Sequence, residues 1–184
     1  MAKKILLAVG VIVVGILTAV LIFRYQTKSF SPESSAAFQD GDLNINVFYN
    51  RPFKKGRVIF GGLVPYGKTW RTGANEATVF ETNKDLLIGD KKLKAGKYSL
   101  WTVPNEQSWT VVFNSTIPNW GIDVMNNGEA ARDPKSDVIV IDVQVMWTDK
   151  EFEQFTISVE KADDMLELVL AWDKTLVALP FSRQ

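Results

Sequence analysis

The chain has 184 residues, balances 21 basic against 21 acidic side chains, and contains neither cysteine nor histidine. Without cysteine it has no disulfides, thiol nucleophiles or thiolate metal sites, and its redox compartment stays undetermined. Without histidine it lacks the usual general base and the commonest metal ligand, so any catalysis would rest on Asp, Glu, Lys, Tyr, Ser or Arg.

The first element is an apolar run, Ile5 to Phe23, of 19 uncharged residues. As a helix it would extend about 28 Å, close to the hydrocarbon thickness of a bilayer. Lys3 and Lys4 precede it, and Arg24 and Lys28 follow it. Together with the terminal amine, this bias favours a cytoplasmic N-terminus of residues 1–4, a transmembrane anchor over 5–23 and a body in the periplasm or outside the cell. The competing reading is a cleaved secretory signal. It fits less well, because the run ends in the bulky Leu21-Ile22-Phe23-Arg24-Tyr25 and lacks a small-x-small site. Gly10 and Gly15 are five apart and make no GxxxG pair. The lipid bilayer is thus the expected partner of 5–23. Residues 24–41, with Ser29, Ser31, Pro32, Ser34 and Ser35, read as a flexible linker.

Removing the four basic residues that flank the apolar run leaves 17 basic against 21 acidic from Phe30 onward. That weakly acidic body has no electrostatic footprint for nucleic acid. From Leu43 the apolar period is two. Leu43, Ile45, Val47 and Tyr49 make one strand face, and Trp109, Val111 and Phe113 another. Ile139 to Trp147, Phe155 to Val159 and Leu166 to Trp172 alternate in the same way. Gly89-Asp90 suits a two-residue type II′ hairpin, Pro104-Asn105 closes a strand, Asp173-Lys174 links the last two, and Pro180 ends the final one. About nine short strands with frequent turns predict an all-β domain over 42–184, a β-sandwich or jelly roll, with an open barrel as the alternative. The longest break, Asn114 to Ser136, holds Trp120 and room for one short turn over Ala130 to Asp137. It reads as a functional loop or as a covering flap with Trp120 in the core.

The segment with a site-like composition is Arg51 to Ala77, RPFKKGRVIFGGLVPYGKTWRTGANEA. Arg57, Tyr66, Trp70, Arg71, Asn75 and Glu76 are the ligand-binding candidates. Arginine offers a planar fork for carboxylate or phosphate, and Trp or Tyr a flat face for a sugar ring. The bland reading pairs Arg71 with Glu76, buries Trp70 and lets Asn75 satisfy its own turn. A calcium loop at Asp40, Asp42, Asn44 and Asn46 is disfavoured, because Ile45 stands where glycine is required and Arg51 where glutamate is. Asp163-Asp164 reads as a turn, and the Asn114-Ser115-Thr116 sequon is given no weight as a glycosylation site. No metal site and no cofactor is expected.

With AGKYSLWTVP at 95–104, WTVVFN at 109–114, NWG at 119–121 and LVLAWD at 168–173, the 51–77 motif resembles a bacterial family of domains of unknown function, number 2911. The resemblance covers about residues 40 to 181. It implies a secreted or membrane-attached domain and supplies no reaction. The chain departs from the family after WG, where a short aromatic loop gives way to Ile122-Asp123-Val124-Met125-Asn126-Asn127-Gly128. If that loop borders a site, the site's shape differs here.

Three functions follow. The first is a non-catalytic module binding a polar ligand or an envelope component, polysaccharide or protein. The second is a structural or interaction domain without a ligand site. The third is a carboxylate-based hydrolase acting on glycans, with Glu76 as a weak catalytic candidate paired with Asp123 or Asp142.

Overall fold

The computed structural model describes residues 2–184, so Met1 of the expected cytoplasmic segment lies outside the described residues. Helix α1 runs Ala2–Phe30 without a break and is long and apolar enough to cross a membrane. The hydroxyl of Thr18, inside the apolar run, donates back to the carbonyl of Val14 at 2.8 Å, which leaves no unpaired donor there.

The rest is β-structure. Strands β1 (Glu33–Asp40), β2 (Leu43–Asn50), β3 (Thr78–Thr82), β4 (Leu86–Ile88), β5 (Lys91–Leu93), β6 (Gly96–Pro104) and β7 (Ser108–Asn114) are followed by the short hairpin β8 (Ile122–Asp123) and β9 (Glu129–Ala130). Two long strands close the chain, β10 (Asp137–Ala162) and β11 (Met165–Arg183). Nine of these form one antiparallel sheet in the order β1-β2-β3-β6-β7-β10-β11-β4-β5. β1 and β5 are its two ends, so the sheet is not closed into a barrel.

The sheet folds back on itself through β10. The pairing of β10 with β11 shifts register between Trp147 and Phe152 and again between Phe152 and Thr156. Beyond that kink β10 crosses the far end of the sheet, where the Tyr49 hydroxyl accepts from the Ile157 N–H at 3.0 Å and donates to its carbonyl at 3.3 Å. The alternating apolar residues read from sequence meet in one core: Leu43 and Val47 of β2, Phe113 of β7, Ile157 of β10 and Leu170 of β11 are all buried. A second, smaller cluster of Ala77, Trp101 and Val112 lies on the opposite face of the sheet, covered by Ala130 and Ala131.

Four local expectations change. Residues 24–41 are not a flexible linker: α1 continues to Phe30, and β1 pairs along its whole length with β2. The inward set of β1 includes Ser34 and Ala36, side chains too small to register as an apolar period. Asp173-Lys174 does not separate two strands; Asp173 has φ 55° and lies within β11. Pro180 sits inside β11 as well, exposed, where a missing N–H is tolerated. Trp147, expected on the core face, is 67% exposed because the register shift follows it directly.

Replacing Tyr49 with Phe leaves the buried N–H of Ile157 without an acceptor. The expected cost is about 1–3 kcal/mol. Chemical denaturation of the full chain in detergent micelles, followed by tryptophan fluorescence, measures it.

Candidate functional site

Between β2 and β3 the chain makes the long excursion Arg51 to Ala77, and hydrogen bonds to β6 hold it in place. Trp70 N–H donates to Thr102 O at 2.7 Å and Thr102 N–H returns to Trp70 O at 3.0 Å. Gly67 N–H donates to Pro104 O at 2.9 Å. Ile59 and Val64 are buried and anchor the excursion in the core. Gly73 adopts φ 147°, and a Cβ there would come within 2.9 Å of the Asn50 carbonyl oxygen, so the chain needs glycine at that crossing. Trp70 stacks on Trp172 with centroids 5.8 Å apart and planes 18° apart, and its indole N–H donates to Gly73 O at 3.0 Å.

The end of the excursion meets the end of α1. Asn75 is buried with φ 57°, and its amide donates to Ser31 O at 3.3 Å and Thr27 O at 3.4 Å. Lys28 Nζ lies 2.5 Å from Glu76 Oε2, 2.5 Å from Glu33 Oε1 and 3.2 Å from Asn50 Oδ1. Asn50 is fully buried and donates to Glu76 Oε2 at 3.1 Å, and Arg24 stands 3.8 Å from Oε1. Burial pushes the Glu76 carboxyl up, but the Lys28 hydrogen bond, a hydrogen bond from its own backbone, the Lys28 charge and the Asn50 hydrogen bond outweigh it and hold the group below its ordinary value.

Beside this junction is a concavity of about 1060 Å³. Thr27, Phe30 and Ser31 line it on the α1 side, and Ile122 and Asn127 to Ala130 of the β8–β9 hairpin on the other. Five cationic residues line it, Lys55, Arg57, Lys68, Arg71 and Arg132, against one carboxylate, Glu129. Two of the five are committed elsewhere. Arg132 pairs with Asp137, and Arg57 donates to the carbonyls of Lys54 at 3.0 Å and Phe53 at 2.5 Å. Arg71 is different. Its Nε is buried with no acceptor among the described residues, and burial lowers the guanidinium's pKa with no anion to offset it. Trp172, 1% exposed, also lines the concavity, and its Nε1 is the other buried side-chain nitrogen without a partner among the described residues. Gly121 roofs Arg71: its N–H donates to Asn75 O at 2.9 Å, and a Cβ there would overlap the Arg71 Cδ.

Of the sequence candidates, Arg57, Trp70, Arg71 and Asn75 line the concavity, while Tyr66 and Glu76 do not. Tyr66 packs on Gly61, and burial together with the charge of Glu106 raises its phenol. Arg71 and Glu76 form no ion pair with each other, since Lys28 and Arg24 occupy Glu76. Among the described residues no group of three or more acidic side chains is placed to hold a metal ion.

A family profile described as protein of unknown function (DUF2911) matches residues 31–181, most of the chain. The chain belongs to this family. No curated protein and no solved structure matches it. The DUF2911 match begins at Ser31, so it takes in β1, which the motifs alone had left in the linker. The hairpin bordering the concavity is the segment where this DUF2911 chain departs from the aromatic loop expected after NWG. Trp172, Lys55, Lys68 and Arg132 were not among the sequence candidates. Trp172 sits in a regular apolar alternation and reads as a core residue; only its unpartnered indole N–H separates it from one, and that requires coordinates.

Replacing Lys28 with Met in the DUF2911 chain leaves Glu76 and Asn50 half-satisfied. The expected cost is about 1–3 kcal/mol at neutral pH. Because Glu76 titrates below its ordinary value when folded, its contribution is complete above about pH 4.3, the usual glutamate pKa. It fades as pH falls through the lower folded value. In Lys28→Met the hydrogen bond and charge of Lys28 are gone while those of Asn50 and the Glu76 backbone remain against burial, so that acid-side loss should shrink. Unfolding free energies measured from pH 7 to pH 3 for both proteins test the difference.

Proposed function

We propose that this protein is a membrane-anchored, extracytoplasmic module that binds an acidic ligand in the concavity and performs no chemistry on it. The observation that carries the reading is that two residues lining one concavity, Arg71 and Trp172, each hold a side-chain nitrogen, Nε and Nε1, that is shielded from solvent and has no acceptor among the described residues. The Arg71 side chain is half-buried with no ion pair, which leaves its charge partly uncompensated, and a buried indole N–H ordinarily finds a partner. Both deficits are met by one ligand carrying a carboxylate or phosphate, which a guanidinium grips with two parallel hydrogen bonds. Lys55 and Lys68, exposed at the concavity, supply further attraction for an anion.

A binding role is favoured over hydrolysis. Glycoside cleavage needs two carboxyl groups flanking the bond, and the concavity has only Glu129 among the described residues. Glu76 is engaged by Lys28. The anchor reading rests on α1, whose charge bias favours a cytoplasmic N-terminus.

Thermal unfolding of the full chain in neutral detergent, at matched ionic strength, tests the proposal. Inorganic phosphate should raise the wild-type Tm relative to chloride and leave that of Arg71→Met unchanged. Without phosphate, Arg71→Met should be about as stable as wild type, because the half-buried guanidinium makes no ion pair for the substitution to break. Trp172→Phe, which keeps the packing and deletes the N–H, should reduce the phosphate effect. A strongly destabilised Arg71→Met together with no phosphate effect on the wild type would make Arg71 structural and remove the proposal.

A further inference from the structure

The concavity is not held on a tether. α1 continues unbroken past the apolar run to Phe30, and Lys28, Asn50, Asn75 and Glu76 bind its last turns to the domain. Thr27, Phe30 and Ser31 then form part of the concavity's wall. Thr27 is four residues and Phe30 seven beyond Phe23, or about 6 and 10 Å along a helix axis. The headgroup layer outside the hydrocarbon is roughly 5–8 Å deep on each side. If α1 spans the bilayer, this wall therefore begins within the headgroup layer at Thr27 and ends just outside it at Phe30.

The lining carries exposed apolar side chains as well. Phe30 is 60% exposed and Leu63 46%, and both border the concavity. Lys55 Nζ stands 4.5 Å from the centroid of the Phe30 ring, which joins a cation to an apolar surface at the rim. Exposed apolar groups, cationic side chains and residues with unpaired donors thus share one concavity that the end of α1 helps to wall. A lipid carries the complementary groups, acyl chains and a phosphate, in one molecule.

We infer that the acidic ligand is the phosphate of a bilayer lipid, with its phosphoryl oxygens on Arg71 and Trp172 and its acyl chains left in the membrane along α1. The inference rests on the reading of the concavity as an acidic-ligand site. It names the source of the anion and predicts that the free headgroup alone binds more weakly, because the rim then has no partner.

The test uses the full chain extracted into mixed micelles of phosphatidylcholine and phosphatidic acid, with retained lipid counted by native mass spectrometry. Wild type should keep one phosphatidic acid per chain, enriched more than tenfold over its bulk ratio to phosphatidylcholine. Arg71→Met should lose that enrichment, and Lys3→Gln/Lys4→Gln, at the other end of α1, should keep it. Should Arg71→Met fail to fold, the exposed double variant Lys55→Gln/Lys68→Gln takes its place, with the same loss expected. Equal retention by wild type and these variants would mean nonspecific surface attraction and would overturn the inference. A separate arm measures Tm with sn-glycerol 3-phosphate. If that soluble phosphate stabilises the protein through Arg71 while phosphatidic acid is not enriched, the lipid source is wrong and the acidic-ligand site survives. If neither binds, both fail.

Discussion

The ammonium of Lys28 is the point on which the rest of the architecture turns. It stands 2.5 Å from a carboxylate of the excursion, Glu76, and 2.5 Å from one of β1, Glu33, with the fully buried Asn50 behind them. A charge in this position has little water to fall back on, so its partners must be held in place. They are, since Asn50 ends β2, Glu33 begins β1 and Glu76 directly precedes β3. Helix, sheet edge and excursion are therefore joined by one cation, and the helix leaves the sheet at a set place rather than swinging from it.

The same excursion treats two cations in opposite ways. Lys28 receives two carboxylates and an amide, whereas Arg71, five residues before Glu76, receives no ion pair among the described residues. Glu76 is close enough in sequence to have served Arg71. Instead Thr72, Gly73 and Asn75 all take positive φ and turn the chain between them, so the carboxylate reaches the helix and the guanidinium goes under Gly121. Strained backbone of this kind persists only when surrounding contacts enforce it. Here the contacts are the Thr78 hydroxyl bond to Thr72 O at 2.7 Å and the Gly121 N–H bond to Asn75 O at 2.9 Å.

The strand faces were legible because burial on one side imposes a period of two that large apolar residues display directly. β2, β7 and the first half of β11 follow it without exception at Leu43, Ile45, Val47 and Tyr49, at Trp109, Val111 and Phe113, and at Leu166, Leu168, Leu170 and Trp172. The Gly89-Asp90 turn was legible for the same local reason, with Ile88 and Lys91 paired across it. What escaped has a nonlocal cause. β1 is fixed by pairing with β2, and its short inward side chains carry no signal of their own. The continuity of β10 across its register shifts depends on partners on other strands, so the sequence shows two strands where the chain makes one. Four of the six candidates from the 51–77 segment line one concavity, but composition does not say which arginine is satisfied. Arg57 and Arg71 look equivalent on paper; one is spent on backbone carbonyls and the other has none.

This distinction bears on how function can reside on a fold shared by a whole family. The sheet supplies rigidity, and neither its topology nor its core implies a chemistry. Unmet hydrogen-bonding capacity does, because native chains rarely leave buried donors unpaired. Among the described residues the two that carry such nitrogens both line one concavity, one on the excursion between β2 and β3 and the other on β11. Gly121 strengthens the point, since any larger residue would displace Arg71 from beneath it. A missing Cβ thus makes room for a half-buried arginine whose Nε has no partner among the described residues, an arrangement that core packing alone does not call for.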